Sequence, residues 1–422
     1  MSAMRVQPRN VQRVYLVLVL FNTLAGSFIW GINTLFLLDA GLSNTAAFGA
    51  NAFWTVGMVL FEVPTGVVAD TWGRRASFLL GTLVLGASTV LYLLAWQASA
   101  PFWIWAVTSM LIGLGFTFFS GAIEAWLVDA LAFAGYEGEL EPVFAKGQIV
   151  GGAAMLTGSV GGGLIAQWTN LGVPYILRSV ALALTFVVAF VFMKDWGFTR
   201  KPNKHPLREM RQLVRLSTRY GFGNPPVRWV MLSNLFMMGV FVYAGYAMQP
   251  FLLDLYGNPE AYGIAGLATA ITAGAQIIGG MAAPRIRGLF RHRTSALLAG
   301  LLASCALLAG LGLTSNLIVA IVLLTLWGLI FAATLPIRQA YVNGLIPSEQ
   351  RATVLSFDNL LGSSGGVVAQ PALGRVADIW GYPASFITGA AIQLLAAPFF
   401  VLARREHAPA DTVTEATEAS TP

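Results

Sequence analysis

Several ionisable side chains lie inside long apolar runs of the sequence, where a charge is rare and costly. They are Glu62, Glu124, Asp129, Arg178, Arg338 and Asp358, with Asp39 and Asp254 near the ends of two runs. In hydrocarbon each such charge costs a few kcal/mol, so these residues are candidates for carrying a proton or binding a substrate. Glu62 and Glu124 are predicted to be the proton or cation sites.

The environment of Glu62 leaves two interpretations open. It lies about two helical turns, roughly 12 Å, before Asp70, at a depth where a carboxyl group can load and release a proton. Alternatively the carboxyl is static, held by a fixed partner or bonded to backbone freed by Pro64. Glu124 is deeper and has no partner nearby in the sequence.

The composition is that of an integral membrane protein. Of 422 residues, 56% are hydrophobic and only 10% charged, and the mean hydropathy is +0.70; soluble domains carry about 25% charged residues. The net charge of +6 does not indicate a nucleic-acid partner, because the basic residues lie in short loops beside apolar runs. The three histidines lie in polar connectors and Cys305 is the single cysteine. No metal or cofactor is therefore predicted.

Twelve apolar runs are long enough to cross a bilayer, which needs about 20 residues each. They span roughly 14–38, 46–69, 77–97, 102–131, 144–168, 173–193, 229–253, 261–283, 295–313, 317–346, 353–373 and 383–403. The fold class is thus an all-α membrane protein with twelve transmembrane helices. Basic residues cluster in alternate connectors, which predicts that both termini lie in the cytoplasm. We expect the protein to lie in the plasma (inner) membrane.

The longest connector divides these spans six and six. We predict an N-terminal six-helix bundle (1–193), a basic cytoplasmic linker (194–228), a C-terminal bundle (229–405) and a disordered tail (406–422) rich in Ala, Thr, Glu and Pro. Arg208, Arg211, Arg215 and Arg219 recur in the linker at helical spacing. They indicate either an amphipathic helix on anionic lipid or a solvated linker.

Glycine-rich segments recur six spans apart and indicate two related halves. Spans 5 and 11 contain Gly158-Ser159-Val160-Gly161-Gly162-Gly163 and Gly362-Ser363-Ser364-Gly365-Gly366. Close helix packing explains glycines at such spacing. We predict packing roles for Gly158, Gly162, Gly163, Gly362, Gly365 and Gly366.

A short polar segment joins the second and third runs, and its pattern is informative. It reads Gly66-Val67-Val68-Ala69-Asp70-Thr71-Trp72-Gly73-Arg74-Arg75. The pattern Gly-x-x-x-Asp-x-x-Gly-Arg-Arg resembles the signature loop between helices 2 and 3 of the major facilitator superfamily, with Thr71 at a position that is often basic there. The resemblance implies two pseudo-symmetric six-helix bundles that give alternating access to a central site.

The resemblance also suggests a conformational gate at this loop. Gly66 and Gly73 would let backbones approach closely, and Asp129 would be a salt-bridge partner at the level of Arg74 and Arg75. We therefore predict a gate made of Gly66, Asp70, Gly73, Arg74, Arg75 and Asp129.

Corresponding positions in the two halves raise a question about Glu124 and Arg338, which lie on spans that face each other in the family's fold. The two side chains either form an ion pair or serve as separate proton and substrate-charge sites. The static pair is favoured, because a lone charge in a low-dielectric environment is energetically costly. If the substrate is an anion, Arg338 becomes its ligand. The predicted cavity residues are Arg338, Asp358, Asn33, Gln339, Asn343, Tyr243 and Gln249.

Two further runs narrow the expected function. Residues 62–66 and 120–129 look like segments of bacterial exporters of tetracycline and multidrug type. We predict a proton-coupled efflux transporter for amphipathic, cationic or zwitterionic small molecules, with protons and membrane lipid as its other partners and a monomeric state. The alternatives are proton-coupled nutrient uptake, export of one metabolite such as a siderophore, or a transporter-like receptor without net transport. An enzyme is the least favoured.

Overall fold

The computed structural model describes residues 6–200, 208, 211, 215–216, 218–347 and 350–412. Helices dominate these ranges. In chain order they are α1 (Pro8–Trp30), α2 (Asn33–Asp39), α3 (Asn44–Trp72), α4 (Arg74–Gln97), α5 (Phe102–Thr117), α6 (Ala122–Phe133), α7 (Glu141–Trp168), α8 (Gly172–Phe192), a π-helical turn (Thr218–Phe222), α9 (Pro225–Tyr256), α10 (Tyr262–Gly288), α11 (Arg293–Leu313), α12 (Leu317–Asn343), α13 (Arg351–Leu394) and α14 (Ala397–Arg405).

The membrane spans follow the predicted pattern. Within the described ranges, 11 helical stretches are long and apolar enough to cross a bilayer. The last, Thr353–Arg405, has 53 residues, about 80 Å at 1.5 Å per residue against a hydrocarbon core of about 30 Å. Gly381 interrupts it with φ 80° and ψ 170°, a conformation that favours glycine. This stretch therefore provides two crossings, which brings the described crossings to the twelve that the sequence predicts.

Two predicted spans are broken rather than continuous. The first span divides into α1 and α2 at Gly31–Ile32, and the fourth divides into α5 and α6, with Gly121 in the left-handed region at φ 66°. Hydropathy reports apolar content but not backbone dihedral angles, so the sequence predicted neither break.

Gln249 of α9 satisfies the backbone at the first break. Its Nε2 donates to the carbonyl of Trp30 at 2.9 Å, and its Oε1 accepts from the backbone N–H of Thr34 at 2.9 Å. Inside a membrane, backbone groups freed by a break need partners from the protein. Gln249, which the sequence predicts as a cavity residue, thus joins the two sides of the break.

The chain divides into two compact units. The first unit contains Met1–Met210 and Tyr246–Ala270, and the second contains Arg211–Gly245 and Ile271–Pro422. In the first, α1 packs on α7 and α8, α3 on α5, and α4 on α5 and α8; in the second, α11 packs on α12, α13 and α14. Tyr246–Ala270 thus belongs with the first unit, whereas the sequence placed all of 229–405 in the second bundle.

Glycines of α7 and α13 lie where helices approach most closely. A Cβ built at five of the six predicted packing glycines would overlap a neighbouring helix: Gly158 with Ser27, Gly162 with the carbonyl of Phe28, Gly163 with the carbonyl of Tyr262 (2.6 Å), Gly362 with Asn234 (2.7 Å) and Gly365 with the carbonyl of Leu235. Transmembrane helices associate through such small-residue contacts, because lipid gives little hydrophobic drive to pack them.

Adjacent glycines of α13 give a matched test of this packing. We expect Gly365→Ala to destabilise the protein by about 1–3 kcal/mol, because the added methyl group overlaps the Leu235 carbonyl. Gly366→Ala should be neutral or slightly stabilising, since the nearest atom, Nε2 of Gln370, is 3.7 Å from its Cβ position. Thermal unfolding of the detergent-purified variants measures both. Equal shifts would contradict this account of α13.

The beginning of the C-terminal tail is ordered, in contrast to the disorder predicted for 406–422. Asp411 is 2% exposed, and its carboxylate accepts hydrogen bonds from the backbone N–H of Thr294 (2.8 Å) and from Thr294 Oγ1 (2.9 Å). These bonds cap the first turn of α11. Residues 413–422 lie outside the described part of the chain, as do residues 209–210, 212–214 and 217 of the linker. Arg208, Arg211, Arg215 and Arg219, predicted to lie either on anionic lipid or in a solvated linker, are described and exposed.

Candidate functional site

A cavity of about 270 Å³ lies within the first unit. Its walls combine aromatic rings, short polar side chains and one guanidinium group. The lining residues are Asn22, Thr23, Gly26, Ile29, Trp30, Asn33, Asn51, Trp54, Tyr92, Ser109, Ile112, Phe116, Arg178 and Tyr246. Ligand pockets are typically apolar clefts of about 300–1,000 Å³ with a few convergent polar groups, and this cavity approaches that description.

Arg178 of α8 is the charged residue of the cavity wall. It is 2% exposed; its Nε donates to Thr89 Oγ1 at 3.0 Å and its Nη1 to the carbonyl of Ala25 at 3.2 Å. Its Cζ lies 5.9 Å from the centroid of the Phe116 ring. Within the described part of the chain Arg178 has no carboxylate partner. Its charge is therefore met only by neutral acceptors and a ring.

A short chain of hydrogen bonds ends at Asn51 in the same wall. The hydroxyl of Tyr175 donates to Asn33 Oδ1 at 2.9 Å, and Asn33 Nδ2 donates to Asn51 Oδ1 at 2.9 Å. Asn51 is 3% exposed, and its buried Nδ2 has no hydrogen-bond partner among the described residues. Asn33, predicted as a polar cavity residue, thus lines this cavity and fixes the orientation of Asn51.

The signature loop forms a tight junction between α3 and α4. Gly73 has φ 105° and ψ 159°, a conformation that L side chains rarely adopt, so glycine is required there. Asp70 and Arg74 form an ion pair with 3.1 Å between Oδ1 and Nη2. No described heavy atom lies within 4 Å of a Cβ built at Gly66, so close packing does not account for that glycine in this structure.

Asp195, which follows α8, is the carboxylate that meets the start of α4. Its Oδ1 accepts from the backbone N–H of Arg75 at 2.9 Å, and a Cβ at Gly73 would overlap it. The sequence assigned this partnership to Asp129. In this structure Asp129 has no ion pair among the described residues, and its backbone carbonyl lies against Gly197 of the Asp195 connector.

The two predicted proton sites have different surroundings. Glu62 is half-buried, and its Oε1 accepts from Ser120 Oγ at 2.7 Å, at the break between α5 and α6. Among the described residues its partner is thus a neutral hydroxyl and no fixed cation holds it. Glu124 is exposed in the first turn of α6.

Arg338 and Asp358 form a buried ion pair in the second unit. Arg338 Nη1 and Nη2 each lie 2.6 Å from an oxygen of Asp358, and the two side chains are 11% and 2% exposed. Nη2 also donates to the carbonyl of Val230 at 3.3 Å, and Asn234 Nδ2 donates to the backbone carbonyl of Asp358 at 3.2 Å. The carboxylate that Arg338 binds is therefore Asp358. This contact gives no support to a role for Arg338 as the ligand of an anionic substrate.

The other predicted cavity residues of the second unit are dispersed. Tyr243 is fully buried and its hydroxyl bonds to Ser385 Oγ at 2.6 Å, which makes it a packing residue rather than part of the cavity described above. Gln339 is exposed and Asn343 is half-buried.

Sequence reasoning missed most of the cavity wall. Arg178 was recognised as an ionisable residue inside a span, and its isolation from any acidic residue in span 6 was the available signal for a role. Asn51 and Asp195 gave no such signal, because their importance depends on contacts with distant helices.

Comparisons with known proteins agree on one family. The sequence profile of the Major Facilitator Superfamily matches residues 15–370 and, in an overlapping match, 262–422. A protein of Bacillus subtilis (strain 168), described as the uncharacterized MFS-type transporter YxaM, is 24% identical over 227 residues, 49% of this chain and 50% of that protein. The chain thus spans about half the length of that relative.

Solved transporter structures share the fold at low identity. The nucleoside transporter NupG superposes with a TM-score of 0.73 at 11% identity, covering 94% of this chain and 99% of that one. A bacterial homolog of the human lysosomal transporter Spinster gives 0.71 at 16% identity, covering 98% and 100%. The POT family transporter PepTSo gives 0.72 at 12%, covering 95% and 98%. With a family profile that matches most of its sequence, the chain belongs to the major facilitator superfamily.

Proposed function

We propose that this transporter exports amphipathic organic molecules across the plasma membrane by alternating access, driven by protons. The observation that carries the proposal is the cavity of the first unit, where Trp30, Trp54 and Phe116 present aromatic surface beside amide, hydroxyl and guanidinium groups. A molecule with one polar and one apolar end complements such a wall.

The contacts of Glu62 support proton coupling. A carboxyl group held by a hydroxyl retains the freedom to take up and release a proton, whereas a carboxylate locked to arginine does not. Glu62 and the cavity residue Trp54 belong to the same helix, α3, roughly 12 Å apart along its axis. Protonation of Glu62 and binding of a substrate in the cavity can therefore both affect the position of α3. Glu124, exposed on α6, is the second proposed proton site.

The basic connectors support a cytoplasmic location for both termini. Arg74 and Arg75 flank the junction between α3 and α4, and Arg404 and Arg405 end α14. Under the positive-inside rule these ends face the cytoplasm.

Proton flux in proteoliposomes tests the proposal. Vesicles containing the purified protein and a pH-sensitive dye are challenged with ethidium, tetracycline, naphthoate and sucrose. We expect proton movement with one or more of the aromatic compounds and none in protein-free vesicles. Movement evoked by sucrose alone would favour nutrient uptake, and silence with every compound would contradict the proposed coupling.

A further inference from the structure

We propose that the first-unit cavity selects organic anions, with the acidic group of the substrate bound by Arg178 and its apolar body held by the aromatic wall. This inference builds on the proposed function, for which it names the substrate class. It departs from the cationic or zwitterionic substrate expected from the sequence.

The charge balance of the cavity carries the argument. Its lining contains one guanidinium group and no carboxylate. A buried charge without a counter-charge is costly, and proteins commonly pair it or place it where a ligand will meet it. Thr89 and Ala25 offer Arg178 only neutral oxygen acceptors. An anionic ligand supplies the missing counter-charge, whereas a cation would add to the unbalanced positive charge.

The second unit shows what a neutralised arginine looks like in this protein. Arg338 is almost as deeply buried as Arg178, and it has a bidentate bond to Asp358 with both distances at 2.6 Å. The described part of the chain offers no equivalent carboxylate to Arg178. The contrast separates an arginine that the protein neutralises from one for which the described residues supply no charged acceptor.

The geometry of the donors fits an oxyanion. A guanidinium has five N–H donors in a planar fork that matches carboxylate, sulfonate or phosphate oxygens. Two of these donors are engaged by Thr89 and Ala25. Asn51, in the same wall, contributes a further N–H₂ group whose partner is missing in the described residues. The remaining N–H groups of Arg178 and Asn51 can donate hydrogen bonds to a ligand, and an acid group supplies two or more oxygen acceptors.

The remaining wall favours an aromatic body of modest size. Phe116 lies beside the guanidinium, and Trp30, which is 50% exposed, adds a second flat surface. A volume of about 270 Å³ suits a small aromatic acid better than a large drug.

A matched pair of compounds tests the charge preference at equilibrium. 2-Naphthoate and 2-naphthamide share the same rings and differ in the charge of one group. We expect the detergent-purified full-length protein to bind naphthoate at least about tenfold more tightly, measured by calorimetry at one pH and ionic strength. Equal binding of the two compounds, or tighter binding of the amide, would overturn the proposal.

Variants assign the preference to the residues named. Arg178→Gln should reduce the naphthoate-to-naphthamide ratio to about one, and Arg178→Lys should keep part of it. Arg285→Gln, which removes an exposed arginine on α10, is the matched control and should leave the ratio unchanged. An undiminished ratio in Arg178→Gln would overturn the assignment.

A second substitution keeps the test valid if Arg178→Gln does not fold. Asn51→Asp adds a carboxylate to the cavity wall and should suppress naphthoate binding at least about tenfold while sparing naphthamide. Unchanged naphthoate binding would contradict the proposed site.

Failure of this inference can be told apart from failure of the proposed function. The binding measurement needs no gradient. Naphthoate binding without proton movement would overturn the coupling and keep the anion site. Ethidium-driven proton movement without naphthoate preference would overturn the anion site and keep the coupling.

Discussion

Replacing Glu62 by glutamine is expected to abolish substrate-evoked proton movement while leaving substrate binding within about twofold of the wild type. The amide keeps the shape of the side chain and still bonds to Ser120 Oγ, but it does not take up or release a proton. The cavity residue Trp54 lies roughly 12 Å away along α3, so the substitution does not alter the cavity wall. Dye-loaded proteoliposomes and calorimetry measure the two quantities on the same preparation.

Two controls locate this effect at the carboxyl group. Ser120→Ala removes the hydrogen bond to Glu62 but retains the titrating group, so proton movement should persist. Glu137→Gln removes an exposed carboxylate between α6 and α7 and should change neither quantity. Wild-type proton movement in Glu62→Gln would remove Glu62 from the proton path.

Breaking the Arg338–Asp358 pair is expected to give the largest loss of stability. Removing one member of a buried ion pair typically costs about 3–5 kcal/mol, because the other charge stays buried without compensation. For a unit of this size that corresponds to a fall in Tm of about 10 °C. Asp358→Ala should show it clearly, since Asp358 is the only acid bonded to Arg338 in the described part of the chain. Thermal unfolding in detergent measures the shift.

A double substitution separates pairing from independent roles. Arg338→Met combined with Asp358→Leu removes both charges and roughly preserves the buried volume. We expect it to be more stable than either single variant, giving a strongly non-additive double-mutant cycle. Additive losses would show that each residue is stabilised by other contacts.

Hydropathy predicts the spans well, because every segment that crosses the bilayer must consist mainly of apolar residues. This requirement says nothing about where a helix breaks within a span. Ile32, with φ −132°, and Gly121, with φ 66°, mark breaks through backbone geometry that a hydropathy profile does not contain. The tail shows a different limit: its composition favours disorder, yet Asp411 is fixed by hydrogen bonds to Thr294, far away in sequence.

The candidate site was only partly predictable, because one span does not reveal which of its faces meets another helix. Asn33, predicted as a polar cavity residue, lines the cavity of the first unit. Gln249, chosen on the same grounds, clamps a helix break. For a similar reason, the sequence pointed to a functional role for Arg338 more strongly than for Arg178. Arg338 has a symmetry-related acid in Glu124, which drew attention to it. For Arg178 the absence of an acidic residue from span 6 was a weaker signal, and the structure adds that no described carboxylate pairs with its guanidinium group.

Uphill transport is the most direct test of proton-coupled export. Proteoliposomes are loaded with equal inside and outside concentrations of the compound that evokes proton movement, and a pH gradient is then imposed. We predict that a concentration difference of the compound develops and that a protonophore collapses it. Concentrations that stay equal under the gradient, in vesicles that still equilibrate the compound downhill, would contradict proton coupling and make the protein a passive facilitator.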